Sequence, residues 1–342
     1  MLGLGIVGCG FVVRDRHLPA LRRVPDIAVA AIADVDPDAR ATVAAALGDV
    51  RRYPDATGVL HDPGVDAIAV CVPPTAHADV ALAALDAGKH VLVEKPLAHS
   101  LADADRIVER AASSTAKAVV GFNYRLHRFV LRARELIRAG ALGQILSVSS
   151  VFTNTTVNGW QRRRDLGGGA ILDRAVHHFD LWRFLLEDEL EEAFATAPGG
   201  DGGDAVTVVT GATRGGIVVT ALVLDRTVVQ NEIAVYGTKG AVLADLARAD
   251  GFRQVGLSDL PGAPRTRLRR LAELGIDAAG TIRAVRRGGD YLVTYEDEWR
   301  AFAQIVRGDL PPTPSVADGR AVLAIALAAI ESIDTGRPAR VA

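Results

Sequence analysis

Cysteine is scarce in this chain: Cys9 and Cys71 are the two present in 342 residues. That counts against a disulfide-held scaffold and fits a reduced, cytoplasmic protein. Both fall near strand ends and read as small, half-buried fillers rather than redox or nucleophilic groups. Long apolar runs are missing as well; none approaches the ~18 residues that a membrane span requires. The opening stretch, Met1-Leu-Gly-Leu-Gly5-Ile-Val-Gly8, lacks a basic leader and a cleavage site, so it reads as a first strand rather than a signal peptide. Charge of either sign is not in excess. A formal net charge of -2 gives no reason to expect nucleic acid or an anionic membrane as partner. An HExxH pattern, a cysteine cluster, internal repeats and low-complexity tracts are also lacking.

What is present is apolar: 49% of the residues are hydrophobic, and the length exceeds one comfortable core, which predicts two domains. The first half alternates short apolar strands (Leu2–Val7, Ile27–Ala33, Asp66–Val72, His90–Val93, Ala118–Phe122) with helical patterns (Pro37–Leu47, Ala76–Ala87, Ser100–Ala112). Pro37 suits a first helical turn, and Ser100 with Asp103 makes an N-terminal cap. Strands separated by helices imply βαβ units and a parallel sheet wound on both faces. After Phe122 the texture changes. A basic helix (Phe129–Ala139) leads to alternating or β-branched segments at Gln144–Asn154, Ala205–Gly211, Gly216–Leu224, Glu232–Tyr236 and Ala241–Ala244. An apolar helix enters through Gly167-Gly-Gly169, and two late helices are expected at Tyr295–Arg307 and Val316–Ile333. Strands joined by short turns predict an antiparallel sheet with helices on one side. The fold class is therefore α/β, a doubly wound parallel sheet over residues 1–122 followed by an α+β domain over 123–342.

Three clusters carry chemistry. Gly8-Cys9-Gly10 follows the first strand and precedes a helix, the context of a dinucleotide fingerprint. Gly8 permits the tight turn, and Gly10 lets the backbone approach a pyrophosphate that the helix N-terminus stabilises. Val13 stands where a third small residue is usual. Asp34, at the end of the second strand, can accept from the adenosine ribose hydroxyls, and Val35 follows it rather than an arginine, so NAD is expected over NADP. Asp34 can equally begin the Asp34-Val-Asp36-Pro turn. The second cluster is Glu94-Lys95-Pro96, an amine at a strand exit, where open α/β sheets bind ligands. Pro96 disfavours a helical backbone at Lys95. The third is Asp173-Arg-Ala-Val-His177-His178-Phe-Asp180. Asp173 and His177 share a helix face, Asp180 lies close to it, and His178 is turned about 100° away, to pack or face solvent. A carboxylate beside an imidazole suits proton transfer at a carbinol oxygen. The same residue types would also fit a mere Asp–His pair or a divalent-ion site, but no metal is expected.

In this order and spacing, Gly8-Cys-Gly10, His17-Leu-Pro19, Pro73-Pro-Thr-Ala-His77, Ala87-Gly-Lys-His-Val-Leu-Val-Glu94-Lys95-Pro96, Gly121-Phe-Asn123, Asp173-x-x-x-His177 and Pro314-Ser-Val-Ala-Asp-Gly319 resemble the Gfo/Idh/MocA oxidoreductases, the relatives of glucose–fructose oxidoreductase and inositol dehydrogenase. The resemblance spans nearly the whole chain. It implies a Rossmann domain, then a domain whose large, open, mostly antiparallel sheet forms an oligomer interface, as a homodimer or homotetramer. It implies NAD(P)-dependent hydride transfer at a hydroxyl or ketone of a sugar, cyclitol or sugar derivative. By matching position, Lys95, Asp173 and His177 would be catalytic. Gly8, Gly10, Phe11, Val12, Asp34, Pro73, Thr75, His77, Glu94, Lys95 and Asn123 would line the cofactor site. Tyr124, Trp160 and Arg163 or Arg164 would join Lys95, Asp173 and His177 around the substrate. Thr75 in place of Asn, and Arg174-Ala175 in place of an apolar–Gly pair, depart from the family pattern. Two other activities stay open: NAD-dependent glycoside cleavage through transient hydride transfer, and a dinucleotide-binding sensor without chemistry.

Charge outside these clusters reads as solvated surface. The arginines of Pro261–Gly289 (Arg265, Arg267, Arg269, Arg270, Arg283, Arg286, Arg287) are expected on an exposed helical face, with contact to a phosphorylated or nucleotide-linked substrate or a neighbouring subunit as the alternative. The acidic run Glu187–Glu192 is expected to be a solvated helix end. Gly199–Gly203 is expected at a mobile loop tip.

Overall fold

The structure is a computed structural model. It describes residues 1–155, 163, 165, 169–198, 205–259, 264, 268, 272, 278 and 280–342. The chain divides into two compact units, Met1–Asn123 with Asp165–Gly167 and Tyr295–Leu323, and Tyr124–Arg164 with Gly168–Thr294 and Ala324–Ala342. Among the described residues no helix is long and apolar enough to cross a membrane.

Among the described residues the first unit holds six strands: β1 (Leu2–Val7), β2 (Ile27–Ala33), β3 (Arg51–Tyr53), β4 (Ala67–Val70), β5 (His90–Val93) and β6 (Ala118–Val120). They lie in the order β3-β2-β1-β4-β5-β6, and every pairing is parallel. β4 is buried along its whole length and β5 nearly so, as expected of strands covered on both faces. The connecting helices are α1 (Leu18–Leu21), α2 (Pro37–Leu47), α3 (Ala56–Leu60), α4 (His77–Asp86) and α5 (Leu101–Ala112). Asp36 caps α2 by accepting from the N–H groups of Asp38 and Ala39, with Pro37 in the first turn. Ser100 caps α5 through the Asp103 N–H at 3.1 Å. Sequence patterning misses β3 and α3. β3 reads Arg-Arg-Tyr, an edge strand held by backbone pairing to β2 alone, with no apolar alternation to announce it.

The second unit has an eight-stranded mixed sheet among the described residues, ordered β13-β12-β11-β7-β10-β9-β8-β14. Its members are β7 (Ile145–Asn154), β8 (Leu190–Thr196), β9 (Val206–Thr213), β10 (Val218–Asp225), β11 (Gln230–Gly237), β12 (Gly240–Asp245), β13 (Phe252–Gly256) and β14 (Ala339–Arg340). Only the β7–β10 pairing is parallel; the others are antiparallel. Helices α6 (Arg128–Arg138) and α7 (Val176–Leu186) belong to this unit. The Trp182 indole donates to Ser150 Oγ at 2.9 Å, fastening α7 to the central strand β7. Alternate residues of the sheet are buried, such as Val148, Val209, Val219, Ala221 and Val235. On the opposite register Phe194, Val206, Val208, Val218 and Tyr236 stand 38–49% exposed.

Two further helices, α8 (Asp290–Arg307) and α9 (Val316–Thr335), close the chain. Tyr295–Arg307, the expected late helix, belongs to the first unit, where Arg23 meets Glu296 at 2.9 Å and Arg307 meets Asp26 at 3.1 Å. One expectation is corrected. The acidic run is not a helix end throughout: Glu187 closes α7 in a left-handed conformation, but β8 begins at Leu190. Leu190, Ala193 and Ala195 turn into the core while Glu191 and Glu192 stay exposed, a strand pattern that a bulge and the flanking acids conceal. The expected loop tip Gly199–Gly203 lies outside the described residues, as do Arg265, Arg267, Arg269 and Arg270; Arg283 and Arg286 are exposed.

Candidate functional site

In the first unit the sequence-predicted cofactor residues all follow the carboxyl ends of strands. β1 exits into Gly8-Cys9-Gly10, β2 into Asp34, β4 into Cys71–Pro73, β5 into Glu94-Lys95 and β6 into Gly121–Asn123. The strand order reverses at β1, which has β2 on one side and β4 on the other, and the crevice outside such a switch point is where open sheets bind nucleotides.

The glycine turn is shaped for close approach. Gly8 has φ +98°, and a Cβ there would lie 2.3 Å from the Cys71 carbonyl oxygen, so only glycine fits. A Cβ on Gly10 would meet nothing within 4 Å, which leaves its backbone open to a pyrophosphate. The Arg14 N–H bonds back to the Gly10 carbonyl at 3.2 Å, and the N–H groups ahead of it stand at a helix start, where intrahelical acceptors are lacking. Phe11 is exposed beside them. Val13, at the position of the third small residue, is fully buried and opens a wide π-type turn, Val13–His17.

Asp34, at the end of β2, serves the turn. Its Oδ2 accepts from the Cys9 N–H at 2.6 Å and its Oδ1 from the Asp36 N–H at 2.9 Å. Arg40, which sequence reasoning missed, donates to the Asp34 carbonyl at 2.5 Å; its distance of six residues hid it. Burial, then the charge of Asp34, pushes the Cys9 thiol up to about 12, and burial holds Cys71 well above its ordinary value. Both are buried protonated thiols, as packing fillers would be.

Thr75 and Pro73 are exposed on the β4 exit, and Asn123 is buried after β6. His77 is buried with Nδ1 2.8 Å from the Pro96 carbonyl and Nε2 2.8 Å from the Val72 carbonyl. The ring thus ties the β4 and β5 exits together, and burial lowers its pKa despite the two acceptors. Lys95 is half-buried, and the Lys95–Pro96 peptide is cis. Its N–H donates to Glu94 Oε2 at 3.0 Å, while Glu94 Oε1 lies 2.9 Å from His17 Nε2. Burial opposes ionisation of Glu94, but hydrogen bonding and charge from His17, then Lys95, leave it below the usual carboxylate range.

Glu298 on α8 is the counterpart. It is buried, neither carboxyl oxygen has a hydrogen-bond partner, and burial followed by the charge of Glu94 raises it well above the ordinary value. The folded group holds its proton more tightly than the unfolded chain does. Raising the pH above the ordinary carboxyl value therefore favours unfolding until the folded Glu298 itself ionises. Glu298→Met should remove that loss and one unsatisfied buried group, a gain of about 1–3 kcal/mol. Thermal melts at pH 5 and pH 8 test this: the variant should gain several degrees, most at the higher pH. Equal melting of variant and parent at pH 8 would refute it.

In the second unit, Asp173 and Arg174 sit in a second π-type turn, Ile171–Ala175, that continues into α7. The Asp173 N–H bonds to the carbonyl of Gly169, whose φ is +92°. His177 is buried and stacks on Tyr124, with centroids 4.3 Å apart. Arg174 is buried against two carboxylates, Asp225 at 2.5 Å and Asp173 at 3.5 Å. Asp225, on β10, thus supplies a buried counter-charge for Arg174. His178 packs inward as one of the two expected alternatives: its Nε2 donates to Asn231 at 2.9 Å, its ring meets Phe152 edge-on, and burial lowers it to about 4. Asp180 is committed elsewhere, to a bidentate pair with Arg125 at 2.8 and 2.5 Å. Trp160 and Arg164 lie outside the described residues.

Comparison with known proteins agrees with this arrangement. Residues 2–122 match the model described as "Oxidoreductase family, NAD-binding Rossmann fold", and residues 130–243 match the "GFO/IDH/MocA C-terminal domain". The myo-inositol 2-dehydrogenase of Thermotoga maritima is 29% identical, over 98% of this chain and 97% of that protein. The 1,5-anhydro-D-fructose reductase of Ensifer adhaerens is 28% identical, over 98% of each. The crystal structure of a "probable dehydrogenase" from Thermotoga maritima superposes with TM-score 0.80 at 26% identity, covering 99% of both chains. With the glycine turn at the switch point of a β3-β2-β1-β4-β5-β6 sheet and both family models matched in order, this chain belongs to the Gfo/Idh/MocA oxidoreductases and carries their NAD-binding Rossmann domain.

Proposed function

We propose that the protein is an NAD-dependent dehydrogenase or reductase for a secondary hydroxyl or ketone of a sugar, cyclitol or sugar derivative. The observation that carries this is the placement of the β1 glycine turn, Asp34 and Lys95 at the carboxyl ends of β1, β2 and β5, on one edge of one parallel sheet. Relatives along nearly the full length act on myo-inositol and 1,5-anhydro-D-fructose by name, which supports the substrate class.

Gly8, Gly10, Phe11 and Val12 would hold the pyrophosphate side of the cofactor and Asp34 its ribose, with Pro73, Thr75, His77, Glu94 and Asn123 along the neighbouring exits. When bound, the nicotinamide accepts or returns hydride at the substrate carbon. Lys95, Asp173 and His177 form the catalytic group. His177 takes the hydroxyl proton, and Asp173 orients the imidazole and supports its charged form. Lys95 donates a hydrogen bond to the same oxygen and stabilises the negative charge that develops there. Tyr124, by stacking on His177, limits the ring's rotation. Residues 1–122, joined in one compact unit by the later Tyr295–Leu323, would be the cofactor domain, and the rest of 123–342 the substrate and oligomerisation domain. The exposed apolar register of the second sheet suits a second copy of the chain, as a homodimer or homotetramer. The two free cysteines fit a cytoplasmic location.

The test is a panel of sugars, inositols and their keto forms, followed by absorbance of reduced nicotinamide with NAD and with NADP. Turnover on a free polyol or keto-sugar with stoichiometric reduced cofactor is expected. Asp34→Ala should weaken NAD and narrow its advantage over NADP, which Arg40 beside that site would help to hold. Glycoside cleavage without net NADH, or tight NAD binding with no turnover across the panel, would overturn the reading.

A further inference from the structure

Arg174 follows Asp173 directly in the turn Ile171–Ala175, and its side chain is 6% exposed between two carboxylates that are each 10% exposed. Its Nη1 donates to Asp173 Oδ2 at 3.5 Å, and its Nη2 lies 2.5 Å from Asp225 Oδ1. Asp225 stands on a fixed backbone. It is the last residue of β10, and its N–H bonds to the Ala205 carbonyl at 2.8 Å. Two residues on, the Thr227 N–H bonds to the carbonyl of Asn154, the last residue of β7, at 3.0 Å. Asp173 is held through its own N–H, which bonds to the Gly169 carbonyl at 2.9 Å. The guanidinium thus joins a strand end to the turn and takes hold of one Asp173 oxygen.

As a device for stability this cluster is poorly built. Three charged groups leave water, a cost that their mutual attraction seldom repays. Two acids share one base, and the buried Arg174 Nε has no hydrogen-bond partner among the described residues. What a guanidinium does supply is direction, because its planar fork holds carboxylate oxygens in set places. With Oδ2 held, the Asp173 carboxylate cannot turn freely about its side-chain bonds. That fixes what it offers to His177, four residues on along the same helix face. We propose that Arg174 is a positioning residue for Asp173, and that Asp225 in turn positions Arg174. The inference rests on the reading of Asp173 as the group that orients the His177 imidazole.

The test separates turnover from stability. Steady-state kinetics on the panel compound that turns over, with NAD binding by fluorescence and urea unfolding alongside, compare the parent with Arg174→Met, Arg174→Lys and Arg174→Met/Asp225→Leu. Methionine keeps an unbranched stem and removes the guanidinium, so kcat should fall about tenfold or more while KM and NAD affinity stay near parental. It also strands the Asp225 charge and should lower the urea midpoint. Lysine keeps the charge without the fork and should recover part of kcat. In the double variant Asp225 is no longer stranded, so the urea midpoint should climb back towards the parent while kcat stays as low as in Arg174→Met. A merely structural cluster would recover both together. A parental kcat in the double variant therefore overturns the proposal, and that outcome is readable even where Arg174→Met alone does not fold. Parental kcat in Asp173→Asn would instead sink the catalytic reading of Asp173. The crystal structure of the double variant then decides the hold itself: a displaced Asp173 carboxylate upholds it, and one in its parental orientation overturns it.

Discussion

Replacing Lys95 with methionine is expected to lower turnover by about 10²–10⁴-fold while NAD affinity changes little. Methionine keeps an unbranched apolar stem at the half-buried position, and the backbone N–H that bonds Glu94 remains. What is lost is the ammonium alone. A positioned charge beside a developing alkoxide acts where water is excluded, so its removal shows in kcat rather than in cofactor binding. The measurement is steady-state kinetics on the substrate found in the panel, with NAD binding followed separately by fluorescence. A variant with parental kcat would remove Lys95 from the chemistry. A loss confined to NAD affinity would move it to the cofactor's hold.

Five strands of the first sheet were legible because they are short and apolar, and because Pro37 and Ser100 are local signals that act within one turn; β3, an exposed Arg-Arg-Tyr edge, was not. The glycine turn and Lys95 were legible for the same reason: their meaning depends on a strand immediately before them. His17 was seen only as part of a motif, since its partners Glu94 and Trp299 lie 77 and 282 residues away. Nothing in the local pattern around Trp299 distinguishes it from an ordinary core aromatic. The wide turns at Val13–His17 and Ile171–Ala175 were also invisible, because a π-type turn differs from an α-helix by one residue in its hydrogen bonding and not in its apolar pattern. β8 failed for the opposite reason, its acidic residues imitating the end of the preceding helix.

Asp180 shows how far a shared face can mislead. It follows His177 by three residues and by periodicity lies close to the face that Asp173 and His177 share, yet both its oxygens engage Arg125 in a pair whose side chains are 1% and 9% exposed. Arg125 also lies over the Phe184 ring, so neither charge has ready access to water. Removing one partner from such a pair leaves the other charge buried without compensation, at a cost of about 3–5 kcal/mol. Asp180→Leu is therefore expected to be among the most destabilising single changes in the second unit, read as a lowered urea midpoint. Pairing it with Arg125→Met should recover much of the loss, since two apolar side chains can replace a buried ion pair without leaving a charge behind. The folded fraction of the double variant should retain turnover, because the pair supports α7 rather than the proton transfer. A single Asp180→Leu variant that unfolds like the parent but has lost kcat would reverse that assignment and return Asp180 to the chemistry beside His177.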